Sequence, residues 1–276
     1  DMNGVIPPSF GLLVNLQEAN FEATDISGAV PAEVCSLIDA GLTLTVNCDK
    51  VFCDCGCDCS VSSDDILYPP PLNTLGELLP DYTVDAIVDD PEGPQGLALS
   101  WMRTDPDIDT YPNFRLVQRF AMATFYFALD GPVWSSNTDE DTYDDWLSYD
   151  THECEWYSEV DDPTCENQRL IDISLSENDL GFEIPPEIGL LTDLKYLFLT
   201  DNYISGPLPT TIGNLENLME LWLDFNFLND EIPTEVGKLS NLQVFDIEEN
   251  EFSGSIPDEV GDMEQLIHLR LLRNML

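Results

Sequence analysis

Five asparagines recur at a spacing of 24 residues in the last part of the chain: Asn178, Asn202, Asn226, Asn250 and Asn274. The same apolar frame precedes each of them, as Leu194, Leu197 and Leu199 do before Asn202. Several coincident positions at one fixed period are typical of a solenoid, in which each copy buries its apolar face against its neighbours. This feature therefore predicts an elongated repeat fold for this part of the chain.

The residue types around each asparagine explain the repeat. The L-x-L segments form short strands whose alternate side chains enter the core, and stacked strands make a parallel sheet along a concave face. The asparagine amide satisfies backbone groups of adjacent copies at the inward turn. Proline fixes the backbone on the opposite side, and glycine permits tight turns. In each repeat the proline follows an Ile or Leu, as Ile184-Pro185, Leu208-Pro209, Ile232-Pro233 and Ile256-Pro257. The glycine follows an Ile or Val, as Ile188-Gly189, Ile212-Gly213, Val236-Gly237 and Val260-Gly261.

The consensus L-x-x-L-x-L-x-x-N-x-L-x-G-x-I-P resembles the plant-type leucine-rich repeat of receptor ectodomains and secreted inhibitors. The stretch from Asn202 to Pro209 is a close match, whereas Phe182 and Asp230 replace the motif glycine in two copies. The resemblance implies an α/β solenoid of leucine-rich repeats with a parallel concave sheet. It also implies a helical N-terminal cap pinned by a disulfide and a cysteine-rich C-terminal cap.

The chain is predicted to hold two partial solenoids joined through caps. Residues 1–37 carry the repeat frame and are predicted to be the last repeats of one solenoid, and residues 38–60 its cysteine-rich C-cap. Residues 61–112 are predicted to be an acidic, proline-containing linker with short helices. Residues 113–165 form a helical N-cap, and residues 166–276 form the second solenoid.

The strongest helix prediction lies in the N-cap. Residues 113–129 are predicted to form a helix with one apolar face that contains Phe114, Val117, Ala121, Phe125 and Ala128. The stretch from Gln118 to Phe127, together with the C-x-W at Cys154, resembles secreted repeat proteins of diatoms and related algae.

Eight cysteines lie in two groups, and their even number at predicted domain edges indicates disulfides and an oxidising, extracellular compartment. They are Cys35, Cys48, Cys53, Cys55, Cys57, Cys59, Cys154 and Cys165. The run from Cys53 to Cys59 has two interpretations: a thiolate metal cluster, because soft ligands one residue apart can share a metal, or disulfides, which are favoured. The protein is therefore expected to be secreted, with the cell surface or cell wall as candidate locations.

The charge excludes several partners. The formal net charge is −45, from 54 acidic residues against 9 Lys and Arg. Nucleic acid and anionic lipid are excluded, because both require basic patches. No apolar run reaches the roughly 20 residues that span a bilayer.

The acidic runs leave the question of calcium open. Asp105, Asp107 and Asp109 begin like a calcium loop, but Thr110 and Leu116 stand where an EF-hand needs glycine and glutamate. Loosely bound calcium and solvated acidic loops are the two interpretations, and no other cofactor is predicted.

No catalytic constellation is present in the sequence. The two histidines, His152 and His268, form no metal-binding pair, and neither a G-x-S-x-G motif nor a phosphate loop occurs. The sequence therefore predicts a protein that is not an enzyme.

The candidate binding surface is the concave face. Its outward positions are Tyr196, Phe198, Glu220, Trp222, Asp224, Phe225, Asp246, Glu248, Glu249, His268, Arg270 and Arg273. Phe198 and Trp222 hold one position in successive repeats and are expected to be neighbours. An exposed aromatic pair flanked by acids is a candidate hot spot for a protein, a glycan or a neighbouring subunit, and a solvated face is the alternative.

Two functions follow from these observations. The leading hypothesis is an extracellular structural or adhesive building block that stacks end to end with other copies, since the chain begins and ends within repeats. The alternative is a recognition ectodomain of a receptor or inhibitor that binds a protein or glycan.

Overall fold

The computed structural model describes residues 73–138, 146–157 and 164–276. Before residue 73 it describes the short pieces 3–4, 18–20, 25–26, 28–29, 34, 37, 43–45 and 51–52. The chain divides into two compact units, Asp1–Gly76 and Glu77–Leu276.

The first unit contains three pairs of short parallel strands. The strands are β1 (Asn3–Gly4), β2 (Glu18–Asn20), β3 (Asp25–Ile26), β4 (Gly28–Ala29), β5 (Thr43–Thr45) and β6 (Val51–Phe52). β1 pairs with β3, β2 with β5 and β4 with β6. Each pair joins residues about one repeat apart, so parallel stacking continues into residues 38–60, where a cap is predicted. The six cysteines of this region lie outside the described residues.

Five helices are described between residues 73 and 138. They are α1 (Asn73–Leu78), α2 (Asp81–Asp89), α3 (Pro94–Met102), α4 (Asn113–Ala128) and α5 (Ser135–Thr138). Short 3₁₀ helices cover Ile108–Thr110, Gly131–Val133 and Glu153–Glu155. α2 and α3 lie in the segment predicted as a linker. Ile87, Leu99 and Met102 of these helices are buried.

α4 is the central helix of the N-terminal cap. It begins and ends within one residue of the predicted helix, but its burial differs from the prediction. Every residue from Gln118 to Phe125 is buried, so the helix is enclosed on all sides and does not expose a polar face. The reason is that α4 packs against α3 and also against the first repeat. A helix that contacts neighbours on both sides has no solvated stripe.

The concave face is a five-stranded parallel sheet. Its strands are β9 (Asp172–Ser174), β11 (Tyr196–Phe198), β13 (Glu220–Trp222), β15 (Val244–Asp246) and β16 (His268–Arg270), in that spatial order. The central residue of each strand aligns with its counterparts, for example Leu197 with Leu221. Leu197, Leu221 and Phe245 are fully buried. Apolar side chains at the same position in successive strands thus form one continuous core.

A second parallel sheet flanks the first. It contains β10 (Gly181–Glu183), β12 (Tyr203–Pro207) and β14 (Phe227–Asn229). Each repeat then continues through an extended proline into a short 3₁₀ helix on the opposite side. These helices cover Pro186–Leu190, Thr210–Asn214, Thr234–Lys238 and Asp258–Asp262.

The repeated asparagines form a hydrogen-bonded ladder through the core. Asn226 Oδ1 accepts from the Ile204 amide at 3.0 Å, and its Nδ2 donates to the carbonyls of Leu199 and Leu223 at 2.8 and 3.2 Å. Asn202 and Asn250 repeat this pattern. Each amide therefore satisfies backbone groups in its own turn and in the preceding one.

The glycines of the repeat act in two different ways. At the fourth residue after the ladder asparagine the backbone has positive φ in four copies: Gly206 at 76° and Gly254 at 83°, but also Phe182 at 64° and Asp230 at 61°. The Ile-Gly glycines instead allow close approach: a Cβ on Gly213 would lie 2.5 Å from the Glu235 carbonyl oxygen in the next turn. The replaced motif glycines therefore leave two strained positions in an otherwise regular turn.

A disulfide joins Cys154 and Cys165, as predicted for the N-terminal cap. Cys165 begins the two-residue strand β7 (Cys165–Glu166), which pairs antiparallel with β8 (Arg169–Leu170). Leu170 is buried, and its amide donates to Gln118 Oε1 at 2.7 Å. The disulfide-bonded hairpin is thereby fixed to α4, and the Asp172 amide at the start of β9 donates to the Thr164 carbonyl at 3.3 Å.

Candidate functional site

A cavity of about 510 Å³ opens on the concave face beside the cap. Its walls come from β9, β11 and β13, from the turns after them and from residues around the cap disulfide. The lining residues are Tyr157, Thr164, Asp172, Ser174, Ser176, Phe198, Thr200, Glu220 and Trp222. A volume of several hundred Å³ is typical of pockets that hold a small molecule or a few side chains of a partner.

An aromatic pair forms one wall of the cavity. The rings of Phe198 and Trp222 lie edge to face, with centroids 6.2 Å apart and an interplanar angle of 74°. Tyr196 packs beside Phe198 at 6.0 Å. All three side chains are partly exposed. The pair is fixed because strands in register place the same position of successive repeats side by side.

Carboxylates lie next to these rings. Glu220 Oε2 accepts a hydrogen bond from Trp222 Nε1 at 3.0 Å, which orients both side chains. Asp172 Oδ1 accepts from Ser174 Oγ at 2.7 Å. Among the described residues that line the cavity none is basic. The cavity therefore combines apolar rings with negative charge.

Asp224 and Asp246 lie on the concave side, as expected, but they are buried. Thr200 Oγ1 donates to Asp224 Oδ1 at 2.7 Å, and Arg270 Nη1 donates to Asp246 Oδ2 at 2.9 Å. Burial raises the pKa of the Asp224 carboxyl, and the negative charge of Asp246 adds to this shift. Asp224 and Asp246 are thus buried on the concave face and do not line the cavity. The acids that line it are Glu220 and Asp172.

Several other residues of the predicted surface lie away from the cavity. Phe225 is 50% exposed in a turn with φ of 55°. Glu249 forms an ion pair with Arg273, and His268 is exposed on β16. Glu248 is half-buried beyond β15. The structure therefore brings together Phe198, Glu220 and Trp222 from the predicted set, and places the others along the remaining face.

The cap contributes walls that sequence reasoning missed. The Tyr157 hydroxyl donates to the Asp172 carbonyl at 2.5 Å, and burial raises the pKa of Tyr157 well above its ordinary value. Thr164 Oγ1 donates to the Cys154 carbonyl. The position of both residues between the paired Cys154 and Cys165 was the available signal, because the disulfide keeps the neighbours of both cysteines near the β7–β8 hairpin that leads into β9.

Behind this wall the cap contains a buried ionic cluster. The Arg119 guanidinium is fully buried against the rings of both Trp101 and Trp156, 4.8 and 5.1 Å from their centroids. Its Nε donates to Asp105 at 3.0 Å and its Nη1 to Glu153 at 3.3 Å. Arg115 Nε also pairs with Glu153 at 3.2 Å, so two cations face two carboxylates and the charges compensate one another, which burial of an ion requires.

The candidate calcium residues are separated by this arrangement. Asp105 is buried against Arg119, whereas Asp107 and Asp109 are exposed. The acidic run at residues 139–145 lies outside the described residues. His152 Nδ1 accepts from the Cys154 amide at 3.2 Å, and burial lowers the pKa of its imidazole.

Comparison with known proteins agrees with this architecture. The sequence profile described as Leucine Rich Repeat matches residues 193–215 and 241–263. No curated protein sequence matches the chain. Among the helices that the structure describes, none has the length and apolar character to cross a membrane.

Several solved structures are similar to parts of the chain. The ectodomain of BIR2 from Arabidopsis thaliana is 31% identical over 40% of this chain and 59% of its own, with a TM-score of 0.39. The BIR3–SERK2 complex from Arabidopsis thaliana gives 26% identity over 53% and 78%, with a TM-score of 0.43. The plant peptide hormone receptor RGFR1 in complex with RGF2 gives 25% over 99% and 30%, with a TM-score of 0.39.

This chain therefore spans 59% of the BIR2 ectodomain and 30% of the RGFR1 chain. The two profile matches fall on the repeats that form β11 and β15 and their flanking turns. Together with the parallel sheets, they show that the chain carries leucine-rich repeats and that its fold is a leucine-rich-repeat solenoid.

Proposed function

We propose that this protein is a non-catalytic, extracellular recognition module that binds an extended segment of a protein partner in the concave cavity beside the cap. The observation that carries the proposal is the cavity itself, about 510 Å³ and walled by a partly exposed Phe198–Trp222 pair. Aromatic side chains, tryptophan above all, are among the residues that dominate binding at protein interfaces.

The surroundings of the cavity favour a peptide-like ligand. Ser174, Ser176 and Thr200 line it with hydroxyl groups that can bond to a ligand backbone. The wall is stiff because β11 and β13 are paired on both sides and the cap is closed by a disulfide. A rigid site loses little entropy on binding. The sequence similarity to the plant peptide hormone receptor RGFR1, solved in complex with RGF2, and to the BIR3–SERK2 complex supports the same function.

The hypothesis of a structural building block stays a prediction. It requires contacts between copies, and its support comes from the sequence: the tandem order of repeats and caps, the many cysteines and the lack of a catalytic motif. The recognition module is favoured because the described concave face has a shaped cavity, which end-to-end stacking does not require.

Binding to an array of random twelve-residue peptides tests the proposed function. We expect the full chain to bind a defined subset of peptides and the Trp222→Ala variant to lose affinity by about thirtyfold, as at an aromatic hot spot. Tyr203→Ala is the matched control, because Tyr203 is an exposed aromatic residue on the second sheet and does not line the cavity. Equal loss in both variants, or no peptide binding, would contradict the proposal.

A further inference from the structure

We infer that the cavity receives the side chain of an arginine of the partner, with its guanidinium against the Phe198–Trp222 pair and its donors directed at Glu220 and Asp172. This inference rests on the proposed function and specifies which chemistry the site selects. It combines the shape of the cavity, the charge of its walls and the way in which this chain holds its own arginines.

The walls of the cavity match a flat cation. Two carboxylates, on Glu220 and Asp172, stand beside an aromatic pair, and no basic residue is among the described lining residues. The Trp222–Glu220 hydrogen bond places a carboxylate next to the indole ring. A guanidinium can stack on an aromatic face and donate to carboxylates in its own plane at the same time, which neither an ammonium nor a neutral amide does equally well.

The cap provides a first example of this arrangement inside the same molecule. Arg119 lies against the rings of Trp101 and Trp156 and binds the carboxylates of Asp105 and Glu153. The combination of an indole, a second ring and two acids therefore accommodates a fully buried guanidinium in this protein.

The concave face provides a second example at the edge of the cavity. Arg270 lies over Trp222 with its guanidinium carbon 5.2 Å from the ring centroid, and it binds Asp246. In the register of the sheet, Trp222 is followed by Asp246 and then Arg270, whereas Phe198 and the cavity lie on the other side. The Trp222 ring thus contacts the guanidinium of Arg270 on its β15 side. On its β11 side lies the cavity, which Glu220 and Asp172 line.

Three small probes distinguish charge from shape. N-acetyl-arginine methylamide, its neutral isostere N-acetyl-citrulline methylamide and N-acetyl-norleucine methylamide are titrated into the full chain. The readout is the indole N–H signal of Trp222 in a ¹H–¹⁵N spectrum, assigned by its loss in Trp222→Phe. We expect the arginine probe to shift this signal with an affinity about tenfold higher than that of citrulline.

A second variant supplies the matched control. Glu220→Gln keeps the size of the side chain and an oxygen for the Trp222 indole but removes the charge, so the preference for arginine over citrulline is expected to fall severalfold. Glu183→Gln removes a charge from β10, outside the cavity lining, and is expected to leave the preference unchanged.

Equal shifts with arginine and citrulline, or no shift of Trp222 with any probe, would overturn the inference. The peptide array separates this result from failure of the proposed function. Binding of arginine-free peptides that is lost in Trp222→Ala would leave the recognition module standing without its arginine specificity.

Discussion

The cap and the repeats of the second unit bury polar groups by opposite means. In the repeats the buried side-chain amide of each internal asparagine bonds to backbone groups of the preceding repeat, as Asn226 does to Ile204 and Leu199. In the cap Arg119 is satisfied by side chains from distant positions, Asp105 and Glu153, and by the Ser148 carbonyl. Because every repeat has the same backbone path, the preceding repeat provides hydrogen-bond partners for each asparagine. In the cap, each partner of the buried arginine comes from a separate, non-repeating position.

The two systems meet at Asn178, the first rung of the ladder. Its Oδ1 accepts from the Ser136 amide in α5 at 2.7 Å, so the cap takes the place of a preceding repeat on that side. Its buried Nδ2 has no hydrogen-bond partner among the described residues. The comparison shows that a cap reproduces the shape of a missing repeat more readily than its full set of hydrogen bonds.

The largest expected effect concerns the cap. Arg119→Ala leaves the buried Asp105 carboxylate without its cation and Glu153 with Arg115 alone, and we expect the free energy of unfolding to fall by about 3–5 kcal/mol. Urea denaturation measures this change. Arg119→Lys keeps the charge but replaces the planar, forked guanidinium with a compact ammonium, so an intermediate loss is expected. A loss below about 1 kcal/mol for the alanine variant would show that the cluster does not hold the cap together.

Substitutions in the asparagine ladder are expected to have the next largest effect on stability, and they test directly whether the cap satisfies polar groups as a repeat does. Asn226→Ala leaves backbone groups of two turns unpaired, and a loss of about 1–3 kcal/mol in the free energy of unfolding is expected. Asn178→Ala removes one described hydrogen bond, to Ser136, and is expected to cost less. Urea denaturation of the two variants measures both losses. If the first rung costs as much as the internal one, the cap satisfies Asn178 as completely as a repeat would.

Removing a strained backbone conformation is expected to change the free energy of unfolding less, and to raise it. Phe182 has φ of 64° and is 63% exposed, so Phe182→Gly removes a strained backbone conformation with little loss of burial. We expect a gain of about 1 kcal/mol in urea denaturation, after the greater entropy of the unfolded glycine chain is subtracted. Asp230→Gly is the matched variant and should gain less, because aspartate tolerates positive φ better. Destabilisation by Phe182→Gly would reveal a packing role for the ring.

The smallest expected effect depends on pH. Burial raises the pKa of Asp224 above its ordinary value, so the folded state binds a proton more readily than the unfolded chain. The contribution of this carboxyl to stability therefore falls as pH rises from its unfolded pKa through its folded pKa. Asp224→Asn should be more stable than the natural chain in urea at neutral pH, and the difference should vanish below about pH 4.

Exposed Asp201→Asn is the control for this measurement, because it removes one negative charge from the same acidic chain. A difference for Asp224→Asn that is independent of pH, or equal to that of Asp201→Asn, would show that general charge repulsion is responsible and not the burial of Asp224.

The repeat pattern by itself determined the solenoid. A 24-residue period with a fixed apolar frame buries its apolar residues when the strands of successive repeats stack in register. The contact between Phe198 and Trp222 could therefore be predicted from the sequence. The disulfide between Cys154 and Cys165 and the helix at Asn113–Ala128 also followed from local signals. These features depend on residues that are close in sequence or separated by one repeat.

The tertiary structure decided what repetition does not encode. Tyr157 and Thr164 reach the cavity because the cap folds onto β9, and Asp246 is buried on the concave side because Arg270, one repeat further on, covers it. The burial of α4 on all sides arises in the same way, since its neighbours come from α3 and from the first repeat. Local periodicity specifies which residues share a face, but contacts between non-repeating segments depend on packing that no periodic pattern contains.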